Sequence, residues 1–156
     1  MYLYEIFSED KIRLHVESEE KDELFEELVT HLVGADQADR KDEFLKVIRD
    51  RENIISTGFK NGIAIPHGRI DDLDGIIGVL GISDKGIEYG SLDNNPARII
   101  FMFLSSKLRQ DDHLSILKKV SKISENAGFR KDILLAKTQD SANKILKEYE
   151  VKLCWR

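Results

Sequence analysis

One cysteine in 156 residues, Cys154, excludes an intrachain disulfide and a cysteine-rich zinc site, and suits a reducing cytoplasm. Long apolar runs are missing as well. No segment reaches the roughly 18 apolar residues of a membrane span, and the opening MYLYEIFSEDKIRLHV lacks the basic-then-apolar layout of an export signal. The expectation is a cytoplasmic protein, neither exported nor inserted in a membrane. An excess of positive charge is also lacking: 24 Lys and Arg against 29 Asp and Glu leave 24 − 29 = −5. That argues against a general nucleic-acid binder, whose cations must neutralise phosphates.

Familiar catalytic signatures are absent too. GISDKGI carries two glycines at phosphate-loop spacing, but Ile87 stands where that loop needs its lysine. Gly75, Gly78 and Gly81 do not form GxGxxG, and neither GxSxG nor HExxH occurs. No repeat, low-complexity tract or linker divides the chain, so residues 1–156 read as a single domain. Hydrophobic residues at 41% with charged residues at 34% allow enough apolar burial for that domain to fold.

Periodicity places the elements. Ile12, Leu14 and Val16 alternate with Arg13 and His15 as a half-exposed strand. From Ser18 the spacing of Leu24, Phe25, Leu28, Val29 and Leu32 becomes helical, with Gly34 as the stop. A second helix spans about residues 37–50 with Phe44, Leu45, Val47 and Ile48 inward; STGFKNG then supplies turn chemistry. IIGVLGIS and ARIIFMFLS read as core strands separated by a turn at residues 84–86. Asp111 or Asp112 is the expected cap of a helix with Leu114, Leu117, Val120 and Ile123 inward and Ile116 beside them. Two further amphipathic helices follow, around Ile133 to Leu135 and from a cap at Asp140 or Ser141 through Ala142, Ile145, Leu146 and Tyr149. Strands interspersed with helices imply an α/β fold, a sheet covered by helices.

The four histidines differ in setting. His15, on the polar face of a strand, and His31, beside a helix stripe, read as ordinary surface or packing residues. His67 sits in GIAIPHGR, where Pro66 fixes its own φ, keeps Ile65 extended and stiffens the peptide that presents the imidazole. Gly68 allows a backbone, ligand or docking partner to approach. A histidine so placed is largely neutral near pH 7 and can attack phosphorus through a ring nitrogen, but spacing alone leaves a structural loop histidine equally open. His113, near a helix start, is either a donor to an anion or an incidental first-turn residue. Arg51, near a helix end, either complements the helix dipole or neutralises a bound phosphate.

DRENIISTGFKNGIAIPHGR closely resembles the active-site region of enzyme IIA proteins of the fructose, mannitol and nitrogen-regulatory class in the bacterial phosphoenolpyruvate-dependent phosphotransferase system. GIEYGSLDNNPARIIFMFLSS and HLSILKKVSKI resemble that family's next two blocks, so the likeness runs through nearly the whole chain. The resemblance implies a mixed central β-sheet flanked by helices on both faces, His67 as the phosphoryl acceptor, and His113 and Arg51 beside it. Which ring nitrogen of His67 reacts stays open. It also implies a stand-alone cytoplasmic phosphocarrier, with HPr as donor, a IIB protein or domain as acceptor during sugar uptake, and no metal or other cofactor. A regulatory IIA that binds proteins according to its phosphorylation state is the alternative, since STG-x-x-NGIAIPHG and LDNNP resemble the nitrogen-regulatory form and GIEY the fructose form. Phe59 departs from the family's smaller aliphatic residue and implies altered loop packing without loss of a chemical group.

Overall fold

The computed structural model describes residues 1–154. Six helices and five strands follow in the order α1 (Leu3–Ile6), β1 (Ile12–Arg13), α2 (Lys21–Val33), α3 (Lys41–Ile54), β2 (Ile63–Ala64), β3 (His67–Ile70), β4 (Ile76–Ile87), β5 (Ala97–Ser106), α4 (Gln110–Ser124), α5 (Ala127–Leu135) and α6 (Gln139–Cys154). The sheet is mixed: β1 runs parallel to β4, β4 antiparallel to β5, and both β2 and β3 parallel to β5.

β5 is buried on both faces, which explains its nearly unbroken apolar run. Ile100, Met102 and Leu104 enter a core with α2 and α3; Ile99, Phe101 and Phe103 enter a second core with α1, α4, α5 and α6. Helices therefore cover both faces of the sheet.

Two short strands share one edge of β5. β2 pairs with Ile99 and Ile100, β3 with residues 103–106, and the break between them falls at Ile65 and Pro66. Pro66 has no N–H for a ladder, so an interruption is its natural place; its carbonyl still accepts from Phe103 N at 3.1 Å. His67 consequently opens β3.

Several expectations change. The strand expected through residues 12–16 ends at Arg13 because His15 adopts φ +54°, and Val16 then rejoins through its N–H to the Ile82 carbonyl. The second helix starts at Lys41, after a 3-10 turn, and runs on to Ile54. The turn at residues 84–86 is an irregularity inside β4, where register with β5 shifts between Ile82 and Ile87. Neither Asp111 nor Asp112 caps α4; Arg109 occupies that position, and its Nε donates to Asp112 at 2.5 Å. The buried stripe of α4 is His113, Ile116, Val120 and Ile123, while Leu114 faces out at 51% exposure. Thr138, rather than Asp140 or Ser141, caps α6 by accepting from Ser141 N at 3.0 Å.

Glu150, 2% exposed, accepts from Leu3 N at 2.7 Å and Tyr4 N at 3.1 Å. One buried carboxylate thus satisfies the free N–H groups of α1 and ties it to α6.

Candidate functional site

α3, β3 and α4 line a cleft of about 340 Å³ with residues that include Arg51, His67, Arg69, His113 and Leu114. Side chains on a strand alternate between faces, so His67 and Arg69 share one face, while Gly68 and Ile70 are buried on the other. Register sets His67 opposite Phe103 and Arg69 opposite Ser105. The His67 ring stacks on Phe103 with centroids 5.5 Å apart and planes 12° from parallel. His113, from the first turns of α4, meets the same two rings edge-on or tilted, at 5.2 Å from His67 and 4.9 Å from Phe103.

The orientation of His67 follows from its Nδ1, which lies 2.6 Å from the Ile65 carbonyl. A carbonyl only accepts, so Nδ1 carries the proton and Nε2 has the lone pair. Ile65 is held in turn: its N–H donates to Thr57 O at 3.1 Å, and Thr57 donates through N and Oγ1 to Glu52, at 2.7 and 2.6 Å. Glu52 is 7% exposed and pairs with Lys21 Nζ at 2.8 Å. This buried anion is therefore both paired and hydrogen-bonded, the condition for tolerating its desolvation.

His113 is 3% exposed and its Nδ1 meets Ser105 Oγ at 2.5 Å. Its backbone N–H is already bonded to the Arg109 carbonyl, so its side chain, not its amide, is what the cleft receives. Arg51 stands in the last turn of α3, where Nη1 donates to Ile55 O at 3.0 Å. It thus serves its helix terminus and lines the cleft together.

Burial is the main force lowering the pKa of both histidines. For His67 the Ile65 carbonyl opposes it and the Arg51 charge adds to it. For His113 burial acts with His67, Arg69 and Arg51, pulling the ring to about 4. Both rings are neutral at pH 7, and two cations, Arg51 and Arg69, line the same cleft. Such an arrangement can take up an anion and offer it a neutral nucleophile.

The structure thus brings His67, His113 and Arg51 to one cleft, and leaves His15 and His31 outside it. His15 pairs with Asp84 at 2.7 Å on the surface, and His31 contacts the Asp10 carbonyl at 3.0 Å. Arg69 and Ser105 carry no signal in one dimension beyond strand alternation from His67, because their relation to His113 depends on strand pairing. Gly68 does permit a close approach, and α3 makes it: a Cβ there would meet Val47 Cγ1 at 2.4 Å, and Gly68 and Val47 together line one side of the cleft. Phe59 is partly buried and packs against the core beneath α4, α5 and α6. Among the described residues no three His, Cys, Asp or Glu side chains are grouped to hold a metal, and no helix is long and apolar enough to cross a membrane.

The chain is 31% identical over 150 residues to the fructose-specific EIIABC component of the phosphotransferase system of Bacillus subtilis, covering 96% of this chain but only 24% of that protein. It is 30% identical over 128 residues to the fructose-specific EIIA component of Haloferax volcanii, covering 82% of this chain and 83% of the relative. Among solved structures, nitrogen regulatory protein IIA-Ntr from Neisseria meningitidis superposes with a TM-score of 0.85 at 25% identity, covering 92% of this chain and 98% of its own. The family model described as "Phosphoenolpyruvate-dependent sugar phosphotransferase system, EIIA 2" matches residues 5–149. With that match, and with the same α/β architecture, the chain belongs to the EIIA 2 family of the phosphoenolpyruvate-dependent sugar phosphotransferase system.

Proposed function

We propose that this chain is a phosphocarrier that accepts a phosphoryl group from phospho-HPr on Nε2 of His67 and passes it to a IIB protein or domain during uptake of a fructose-like sugar. The observation that carries this reading is the Nδ1 contact of His67 with the Ile65 carbonyl, which leaves Nε2 as a lone-pair nitrogen beside two arginines. In the transfer, the Nε2 lone pair forms the new N–P bond as the donor's P–N bond breaks. The broken bond's electron pair returns to the donor ring. No proton has to leave His67, because Nδ1 keeps its own and the Ile65 carbonyl stabilises the positive charge the ring acquires.

Arg51, Arg69 and His113 stabilise the charge on the phosphoryl oxygens during this in-line exchange, and positioning dominates because the histidine makes the bond. The name of the Bacillus subtilis relative joins A, B and C components, which supports a IIB acceptor. Incubation with phosphoenolpyruvate, enzyme I and HPr should yield one acid-labile phosphate on Nε2, seen by 15N-coupled NMR. No label, or undiminished label in His67→Ala, overturns the proposal.

A regulatory role is the second reading, favoured by the likeness to nitrogen regulatory IIA-Ntr along 92% of this chain. Transfer of label onward to a purified fructose IIB separates the two. A labelled protein that transfers to no IIB, yet binds a partner in one phosphorylation state only, is a regulator.

A further inference from the structure

We infer that Ser105 is a positioning residue that holds His113 as a hydrogen-bond donor toward the phosphoryl group. The inference rests on the phosphocarrier reading of the cleft. Ser105 is fully buried near the end of β5, opposite Arg69 of β3, and its Oγ lies 2.5 Å from His113 Nδ1. Among the described residues, that nitrogen is the one hydrogen-bond partner of this hydroxyl.

A serine hydroxyl has a single hydrogen. With one partner in a buried site, donation to Nδ1 satisfies it, whereas the reverse arrangement leaves an O–H donor stranded at a cost. Neutral His113 accepting at Nδ1 must carry its proton on Nε2, the ring nitrogen left to the cleft. That N–H is attractive to a phosphoryl oxygen. The other tautomer would present a second lone pair to the same anion.

The pairing register gives Ser105 its place. Phe103 and Ser105 lie on one face of β5, two residues apart, so the ring that supports His67 and the hydroxyl that holds His113 share a rigid strand. Ser105 does not touch the transferred group. It acts through His113.

Long-range 1H–15N NMR of the unmodified protein should show His113 with Nε2 protonated and Nδ1 bare, and His67 with the opposite pattern. Ser105→Ala should shift His113 toward the Nδ1–H form and slow phosphoryl uptake from phospho-HPr about tenfold, the scale of one buried hydrogen bond. Ser105→Thr, which keeps the hydroxyl, should restore the Nε2–H form. In a His113→Ala background, Ser105→Ala should add less than about twofold, since residues acting as a unit are not additive. A native His113 protonated on Nδ1, or a Ser105→Ala protein with unchanged tautomer and rate, overturns the inference. The tautomer of the unmodified protein needs no variant to fold and no phosphate to transfer. A native protein that takes up no label therefore refutes the phosphocarrier reading, while the tautomer measurement judges Ser105 separately.

Discussion

His67 and His113 lie with ring centroids 5.2 Å apart, and each has its Nδ1 held and its Nε2 left to the cleft. What differs is the partner of Nδ1. A carbonyl at His67 can only accept, so Nε2 is bare; a hydroxyl at His113 can donate, so Nε2 keeps a proton. In the phosphocarrier mechanism we propose, two side chains of one type thus take complementary parts, nucleophile and donor, because of one atom behind each ring. Residue type does not set a histidine's part; the far nitrogen's partner does.

Glutamine separates the two parts, and the largest effect is expected at His67. His67→Gln keeps a donor for the Ile65 carbonyl but no nucleophilic ring nitrogen, so phosphate uptake should vanish. At position 113 the same replacement retains an amide N–H donor. Uptake by His113→Gln should fall less than about tenfold, against about a hundredfold for His113→Ala, the range for loss of an oriented polar group in a transition state. Rapid-quench labelling measures both; equal loss in the two glutamine variants would break the comparison.

Acid should act on stability in the same place. Folded His113 titrates near 4, below the 6.5 of a free histidine, so between these values the unfolded chain binds the proton first. Its contribution is complete above pH 6.5, shrinks as pH falls and is lost below about 4, on the order of 3 kcal/mol in total. The pKa of His67 is lowered as well and acts with the same sign. Urea unfolding at pH 7 and pH 4.5 should show a smaller acid loss for His113→Gln than for the native protein.

The smallest effect concerns the frame behind both rings. Gly68→Ala places a methyl 2.4 Å from Val47 Cγ1, and the forced shift of α3 from β3 should cost about 1–3 kcal/mol. Thermal denaturation reads the loss. The opposite tautomers should survive it, since neither Nδ1 partner is on α3.

Much of the fold was legible because burial imposes a period. Leu24, Phe25, Leu28, Val29 and Leu32 are all buried on α2, and the run at residues 97–105 became β5, whose alternate residues feed two cores. Where a side chain serves the cleft, the period misleads. Leu114 matches the apolar stripe of α4 yet faces outward at the cleft, and His113 takes the inward position. The caps failed for a related reason: Asp111 and Asp112 look like capping residues in one dimension, but Arg109 engages Asp112 instead.

The stiff Ile65–Pro66–His67 presentation, the helical and strand periods, and the family blocks around Arg51, His67 and His113 are all legible along the chain. These are properties of neighbours along the chain, set by dihedral restriction and by periodic burial. That Arg69 lines the same cleft, that Val47 packs over Gly68 and that Ser105 reaches His113 depends instead on how the elements pack together. Those relations arise where β3 adds to the edge of β5 and helices close over both, contacts between residues far apart in sequence that no local preference encodes.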